Sequence, residues 1–568
     1  MMLRYFAFLI GLFGSTIAFA GGTVTDCSPA QAENALADAL ATGGRVVISC
    51  PALSVIKLTQ AHQIGQATEI EGNNIVFDTR EGGRFVGSEN TTLMLRNMTL
   101  RGSPRYLGRF LTVPARISGP IHLYLTNVVV EDATGPIAVD SVYVRGGRFA
   151  ENRGTIIRAK RVWITGGTIF GPNPKSTPIS PPADGNGLVV GEQATIEDAV
   201  FFENGPIRWR GKLSVNRVTF MSSGSEQSNG GAIWLDGDGE IAKCTFVQNK
   251  AKAGGAIFLE NGTLEVRRGT FRANSAEFGG AINVEHQETV PPATRLKLTY
   301  SRFTDNSASW DGGAIYFGGS MQSEHALLGG VLEFARNTAK RSGGAIRTMD
   351  ATIVLSRAVF VENIANDDGG AISSVGFTRS KARLGNLLVV RNKAPKGAGY
   401  YGGTIELVNS TIADNLGQGL YFTRPPFWRD PIVTFSVANS ILSKNEGNCT
   451  NLDDTVNFQD LGHNIQFPSQ DCGASFISAD PALDTMYVPA VFSPARQAGN
   501  NKLCVNHDLV RARDVFGDAR PEGDRCTIGA VERDLERRAL HALRDPEGPV
   551  SPLRYYLSIL GLERYSIN

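Results

Sequence analysis

The sequence predicts an all-β fold, a right-handed parallel β-helix with an N-terminal capping helix and short C-terminal helices. The tetrapeptide Gly-Gly-Ala-Ile occurs six times at intervals of 24 to 33 residues. A second motif, an apolar residue followed by two variable residues and Asn, recurs between the copies. The segments between these marks alternate like strands and leave no room for a crossover helix. Strands joined by bends alone must stack coil upon coil.

The Gly-Gly-Ala-Ile repeat predicts a corner of each coil. Its first glycine favours a bend with positive φ, its alanine keeps the corner thin, and its isoleucine points into the core. The six copies begin at Gly230, Gly254, Gly279, Gly312, Gly343 and Gly369, and a degenerate seventh copy reads Gly402-Gly403-Thr404-Ile405. These residues therefore predict structure rather than chemistry.

The second motif predicts the interior. Clear copies lie at 246–249, 271–274, 303–306, 334–337 and 360–363, and weaker ones at 149–152, 201–204, 389–392, 412–415 and 442–445. We expect the Phe rings to stack along the core. We expect each Asn to adopt the left-handed conformation at a corner and to pair its amide with the Asn of the next coil.

The N-terminal sequence predicts export and a capped first coil. Residues 1–20 read as a secretory signal, with an uncleaved anchor as the alternative. A helix is expected at 30–41, capped by Ser28 and ended by Gly43-Gly44, with a strand at 45–50. Residues 21–74 would then form the cap and first coils, and 75–445 the main β-helix.

Seven cysteines fit export to an oxidising compartment. Cysteines close in sequence suggest the disulfides Cys27–Cys50, Cys449–Cys472 and Cys504–Cys526. Cys244, in an expected strand at 241–247, remains as a buried free thiol. The net charge of +1 gives no reason to expect nucleic acid as a partner. No later apolar run has the length of a membrane span, and we expect a soluble monomer without a transmembrane segment.

Three stretches resemble known families. Ser493-Pro494-Ala495 and the closing Ile528-Gly529-Ala530 are similar to the C-terminal part of bacterial β-helix proteins with a choice-of-anchor Q domain, here 446–532. The Gly-Gly-Ala-Ile and Phe-x-x-Asn units resemble the repeats of polymorphic outer-membrane proteins. Residues 27–100 resemble the opening coils of secreted proteins with the pectate-lyase-like fold. These resemblances imply the fold, which hosts many activities. Two helices are expected in the tail 533–568, at 534–544 and 552–563.

Carboxylates are the first candidates for chemistry. Glycoside hydrolysis needs two of them flanking one bond, and Asp236 and Asp238 are the chosen catalytic candidates because Trp234 could stack on a sugar ring. Other acids in similar positions are Glu260, Glu285, Asp311, Asp367 and Asp368. The alternative is ordinary turn chemistry before glycine. Asp236, Asp238 and Glu240 alternate as calcium ligands do, but no complete calcium loop is present, so neither a metal nor a cofactor is expected.

Basic residues with aromatic neighbours are the second candidates. Arg208, Trp209 and Arg210, together with Trp234, are the predicted ligand-binding residues. Segment 101–161 also carries a surplus of six positive charges, among them Arg145, Arg148, Arg153, Arg158, Lys160 and Arg161. On one shared face these cations would attract an acidic glycan; spread around the coils they would be a solvated surface.

The sequence favours a binding protein over an enzyme. We expect an exported β-helix protein, periplasmic, at the cell surface or extracellular, that binds a polysaccharide or another surface component. The alternatives are a polysaccharide lyase or glycoside hydrolase acting on acidic glycans, and a structural surface or matrix component.

Overall fold

The structure, a computed structural model, divides into two compact units, Met1–Ala199 and Val200–Asn568. It describes residues 21–88, 90–102, 111–112, 121–133, 137–152, 156–173, 188–189, 192–285, 293–319, 324–376, 380–423, 433–450 and 456–532. The predicted signal segment 1–20 and the predicted tail helices at 534–544 and 552–563 lie outside these residues. The predicted domain boundaries stay a prediction.

The first unit consists of one helix and short strands. Its elements are β1 (Thr23–Val24), α1 (Ala32–Ala41), β2 (Gly44–Ile48), β3 (Val55–Lys57), β4 (Ala61–Ile64), β5 (Thr68–Asp78), β6 (Arg84–Gly87), β7 (Thr92–Arg101), β8 (Leu111–Thr112), β9 (His122–Glu131), β10 (Ile137–Arg145), β11 (Arg148–Ala150), β12 (Ile157–Thr165), β13 (Ile169–Phe170), β14 (Leu188–Val189) and β15 (Gln193–Glu197).

The second unit continues with strands and one short helix. Its elements are β16 (Val200–Phe202), β17 (Ile207–Arg210), β18 (Lys212–Asn216), β19 (Thr219–Met221), β20 (Ile233–Asp236), β21 (Gly239–Ala242), β22 (Thr245–Val247), β23 (Ile257–Asn261), β24 (Thr263–Arg267), β25 (Thr270–Arg272), β26 (Ser275–Phe278), β27 (Ile282–Val284), β28 (Arg295–Thr304), β29 (Ser307–Asp311), β30 (Ile315–Gly318), β31 (Ala326–Ala335), β32 (Thr338–Ala339), β33 (Ile346–Met349), β34 (Thr352–Val361), β35 (Ile364–Ala365), β36 (Ile372–Val375), β37 (Lys381–Val390), β38 (Tyr400–Gly402), β39 (Thr404–Val408), β40 (Thr411–Ala413), β41 (Gln418–Phe422), β42 (Val433–Ala438), β43 (Ile441–Ser443), β44 (Gly447–Thr450), β45 (Val456–Asp460), β46 (Ile465–Phe467), β47 (Ile477–Ser478) and α2 (Asn501–Asn506).

Strands of successive coils pair in parallel and in register in each unit. In the first unit β7 pairs with β9 and β9 with β10. In the second, β28 pairs with β31 and β31 with β34 over most of their lengths. The predicted parallel β-helix is therefore confirmed.

The N-terminal helix α1 covers the first coil, as predicted. It buries Leu36 and Leu40, and its Glu33 carboxylate lies 2.9 Å from Nε2 of His62 in β4. The helix begins at Ala32 rather than residue 30, because Ser28 accepts the first backbone bonds through its carbonyl and not as a side-chain cap. Gly43 and Gly44 end the helix with positive φ.

The two glycines of each repeat have different tasks. The first adopts positive φ, for example +68° at Gly312, which other residues resist. The second permits close approach of the next coil: a Cβ built on Gly313 would lie 2.0 Å from the carbonyl oxygen of Gly344. The predicted seventh copy at Gly402 is wrong. Tyr400 pairs with Ile372, so the equivalent corner is 397–400, where Gly397 has φ +57°.

The interior contains the expected aromatic and amide ladders. Neighbouring Phe rings stack with centroids 4.6 to 5.0 Å apart. The stacked residues are Phe201, Phe220, Phe246, Phe271, Phe303, Phe334 and Phe360. Each ladder Asn donates to the next, as Asn274 Nδ2 does to Asn306 Oδ1 at 2.9 Å. The ladder continues through Asn249, Asn274, Asn306, Asn337, Asn363, Asn392, Asn415 and Asn445. The prediction that each Asn adopts the left-handed conformation is wrong. The residue before the Asn does so, for example Asp305 at φ +57°.

The three predicted disulfides are present, Cys27–Cys50, Cys449–Cys472 and Cys504–Cys526. Cys244 is a buried free thiol, also as predicted. It lies in the corner between β21 and β22, not within one strand, and burial raises its pKa to about 11.

Within the second unit, the segment after the last coils packs back against the side of earlier coils. Arg383 of β37 lies 2.6 Å from Glu406 and 2.9 Å from Asp508, and His507 Nε2 lies 2.8 Å from Glu406. Asn386 of β37 donates to the carbonyl of Arg513 at 2.7 Å. These contacts fix the C-terminal segment against the side of the coils.

Candidate functional site

Strands β17 and β20 each place alternate residues on an outer face. Their first isoleucine points inward, so the next residue points outward. Arg208 of β17 lies beside Trp234 of β20, and Arg210 lies beside Asp236. This register brings three of the four predicted ligand-binding residues to one surface.

Trp209 is not one of them, and its predicted ligand-binding role is wrong. Its side chain is fully buried, and its Nε1 donates to the carbonyl of Lys212 at 3.1 Å. The reason is the two-residue period of β17. Because Ile207 faces the core, Trp209 faces it too.

Arg210, Trp234 and Asp236 form a compact surface cluster. The Arg210 guanidinium carbon lies 5.6 Å from the centre of the Trp234 ring, and its Nε lies 3.5 Å from an Asp236 oxygen. The other Asp236 oxygen accepts a hydrogen bond from Asn261 at 3.1 Å. Asp236 therefore joins neighbouring coils.

Asp238 also has a structural task. Its carboxylate accepts the backbone N–H of Thr263, in the next coil, at 2.9 Å. The catalytic roles assigned to Asp236 and Asp238 stay a prediction. Within the described ranges, no three His, Cys, Asp or Glu side chains come together to hold a metal ion. Asp236, Asp238 and Glu240 are not brought together as such a group.

The cations of segment 101–161 do not all share one face. Arg101 pairs with Glu131 at 2.8 Å and Lys160 with Asp140 at 3.5 Å. Arg145 and Arg148 belong to different strands, separated by a glycine corner. Arg153 lies outside the described residues. The segment is thus partly a solvated surface, and Arg145 and Arg161 keep outward positions on one sheet.

A second surface cluster lies further along the coils, around Trp310. Strand β29 pairs with β26, and the register shifts by one residue between Ala276 and Phe278. This bulge re-aims a side chain, and Trp310 projects into solvent with 47% of its surface exposed. Phe278 of the preceding coil lies 5.5 Å from its ring centre.

Polar groups border the exposed indole. The Arg341 guanidinium of the following coil lies 5.2 Å from the Trp310 ring centre. Its Nε is 4.0 Å from Asp311 and 3.9 Å from Asp367. Asp311 is fixed by the backbone N–H of Ser342 at 3.0 Å. We call Phe278, Trp310, Arg341, Asp311 and Asp367 the Trp310 cluster.

Tyr316 anchors the inner side of the Trp310 cluster. Its ring lies 5.3 Å from that of Phe278, and its hydroxyl contacts the Met349 sulfur at 3.2 Å. Burial first, and then the charge of Glu285, raise the pKa of Tyr316 to about 12. The phenol is thus a neutral hydrogen-bonding group at ordinary pH.

A buried ion pair connects two consecutive coils near the Trp310 cluster. Arg347 lies 3.1 Å from Asp368, and the Ser373 hydroxyl donates to the same Asp368 oxygen at 2.6 Å. Both charged side chains are largely buried, so this group holds coils together rather than facing a ligand.

Sequence reasoning named the acids of the Trp310 cluster but missed its aromatic and basic members. The available signal was position: Phe278 and Trp310 both come just before a Gly-Gly corner, Phe278 directly and Trp310 one residue earlier. The bulge that exposes Trp310 leaves no mark in the alternation of β29. Trp234 was predicted because it is close in sequence to Asp236 and Asp238, and Arg210 because it lies in a run of cations around an aromatic residue.

Residues 301–318 match the model of the Chlamydia polymorphic membrane protein repeat, which confirms that resemblance over one corner. No curated protein matches the chain. The choice-of-anchor Q resemblance stays a prediction.

One solved structure similar to the chain is the A-module of the mannuronan C-5 epimerase AlgE6 of Azotobacter vinelandii. It shows 10% identity over 80% of this chain and 99% of that chain, with a TM-score of 0.15. A likeness this weak carries no argument about the site. In the part of the chain that the structure describes, no helix has both the length and the apolar character needed to cross a membrane.

Proposed function

We propose that this chain is an exported β-helix protein that binds a polysaccharide at or outside the cell envelope. The repeat type shared with a membrane protein family supports an envelope or extracellular location. Three disulfides support an oxidising compartment. The binding surface is the Trp310 cluster.

The observation that carries the proposal is the exposed indole of Trp310. A large aromatic ring held about half in solvent by a bulge offers a flat apolar surface on which a sugar ring can pack. Rigid aromatic rings give contact area at low entropic cost, and nearby polar groups orient a ligand. Arg341 and Asp367, each about half exposed, supply donors and acceptors for sugar hydroxyls. A polysaccharide has both the apolar ring faces and the hydroxyls that this surface suits.

The test is affinity electrophoresis of the full chain against a panel of neutral and charged polysaccharides. We expect retardation by at least one of them, and Trp310→Ala should weaken it by about tenfold or more, as loss of an aromatic anchor does. Tyr300→Ala is the matched control, because Tyr300 is 48% exposed at another corner. Equal loss in both variants, or no retardation by any polysaccharide, would refute the proposal.

A second candidate function is cleavage of the bound glycan. Asp311 and Asp367 lie within 4.0 Å of the same Arg341 nitrogen, so these two carboxylate oxygens are at most about 8 Å apart, an upper bound compatible with a pair of hydrolase carboxylates. Cleavage would release reducing ends, and Asp367→Asn should abolish it. Unchanged chain length of every bound polysaccharide would exclude this candidate and leave binding intact.

A further inference from the structure

A ladder of three aromatic side chains lies on an outward face of the first unit. Tyr124 of β9, Tyr143 of β10 and Trp163 of β12 occupy equivalent positions in consecutive coils. Ring centres are 4.4 Å apart in both pairs, with interplanar angles of 4° and 1°. All three are half-buried although they point away from the core. Packing into the core therefore does not explain why three large aromatic rings occupy these positions.

The stacking determines which parts of the aromatic rings a ligand could contact. Each ring covers the face of its neighbour, so the ladder presents ring edges outward, and ring edges carry partial positive charge. The next residue in the column, Thr195, is too small to cover a whole indole. Among the described residues, the aromatic stack therefore ends at Trp163.

Cations flank the ladder on both sides. In one neighbouring column Arg161 follows Ser141, to which its Nε donates at 3.1 Å, and His122 precedes them. In the other column Arg145 is exposed. Among the described residues, no carboxylate pairs with Arg145 or Arg161.

Acidic residues lie at the edges of this surface and not within it. The outward positions of 122–126, 141–145 and 161–165 include no acidic residue. Asp140, at one edge, accepts the backbone N–H of Ile121 at 2.9 Å and pairs with Lys160. Glu197, in the next coil, directly follows Ile196, which pairs with Ile164. The face is thus aromatic and positively charged, with a guanidinium group on either side of an apolar ridge.

We propose that this ladder face, formed by Tyr124, Tyr143, Trp163, Arg145 and Arg161, binds an anionic polysaccharide. Its carboxylate or sulfate groups lie against the two arginines, whose forked donors suit such anions. Its sugar rings lie along the aromatic ridge. Successive coils place the binding positions at about the spacing of paired strands, roughly 5 Å, and an extended glycan repeats its sugars at a comparable distance. The inference does not depend on the Trp310 cluster, which belongs to the second unit.

The experiment compares dextran, carboxymethyl dextran and dextran sulfate, which share one backbone and differ in charge. We expect the full chain to bind at least one charged form more tightly than dextran, and the two forms separate a carboxylate from a sulfate preference. Arg145→Gln/Arg161→Gln should weaken that binding at least about fivefold, and Trp163→Ala should weaken it too.

The matched control is Arg45→Gln/Arg84→Gln, which removes the same charge from other exposed positions of the first unit. It should bind like the wild type. Equal weakening by both double variants would show a response to net charge and overturn the proposal. Equally tight binding of polyglutamate, or no preference for the charged dextrans, would also overturn it. Thermal unfolding of each variant identifies any loss that comes from misfolding.

Discussion

Replacing Asn306 by Ala should loosen the coils on both sides of this residue. Its amide nitrogen donates to the carbonyl of Phe271 at 3.1 Å and to Asn337 Oδ1 at 2.9 Å. Its amide oxygen accepts the backbone N–H of Asn274 at 3.0 Å and the Asn274 side chain at 2.9 Å. The site is fully buried, so water cannot replace these bonds without opening the structure.

The magnitude follows from the groups that lose their partners. The Asn306→Ala substitution would leave the Asn274 N–H unsatisfied, at about 1–3 kcal/mol, would remove one hydrogen bond to the Phe271 carbonyl, and would break the amide pair on each side. We expect the free energy of local opening to fall by about 3–5 kcal/mol. Since 1.36 kcal/mol is a factor of ten, exchange of the Asn274 amide should accelerate by roughly 150-fold to 5,000-fold.

Hydrogen exchange of peptides covering residues 270–306 measures this directly. Ser309→Ala is the control, because Ser309 is exposed in the same coil, and it should change the opening free energy by less than about 0.5 kcal/mol. If the Asn306 variant exchanged within about fivefold of the wild type, the buried amides would not be holding the coils together and the reasoning would be refuted.

Two further predictions concern the corners and the C-terminal clamp. Gly313→Ala should destabilise the chain strongly, because its Cβ would lie 2.0 Å from the Gly344 oxygen. Gly403→Ala should be tolerated, because the nearest atom to its Cβ would be 3.8 Å away. Thermal unfolding of both variants tests this, and equal unfolding midpoints would contradict it. The hydrogen bond from His507 is the main reason that the pKa of Glu406 falls to about 2. Because the pKa of Glu406 is lower in the folded state, its ionised carboxylate stabilises the fold. This contribution to the free energy of unfolding is full above the unfolded-state pKa of about 4.3 and is lost as the pH falls through 2. The gap in Tm between the wild type and Glu406→Gln should therefore shrink from pH 5 to pH 2, and a constant gap would contradict the assignment.

The sequence predicted those parts of the fold that each coil repeats. The Phe stack and the Asn ladder were predictable because each position must match its neighbours in the coils above and below. The left-handed residue before each Asn was not, because Asp305, Arg336 and other side chains tolerate that conformation and no single residue type marks it. The corner at Gly397 was missed because a nearby Gly-Gly pair resembled the motif more closely.

The candidate site was predicted less well, for local reasons. Trp209 could have been assigned to the core from the alternation that starts at Ile207. Trp310 could not have been placed on the surface, since the bulge that exposes it depends on pairing with the preceding coil. The aromatic ladder required the register of three coils, which brings together Tyr124, Tyr143 and Trp163 from separate strands.

The central claim, that the Trp310 cluster binds a polysaccharide, is tested most directly by calorimetric titration. The ligand is an oligosaccharide of the polysaccharide that retards the wild-type chain. The account predicts that Trp310→Ala raises its Kd by about tenfold or more, while Tyr300→Ala leaves the Kd within about twofold. Unchanged affinity in the Trp310 variant, with both proteins folded, would contradict the account.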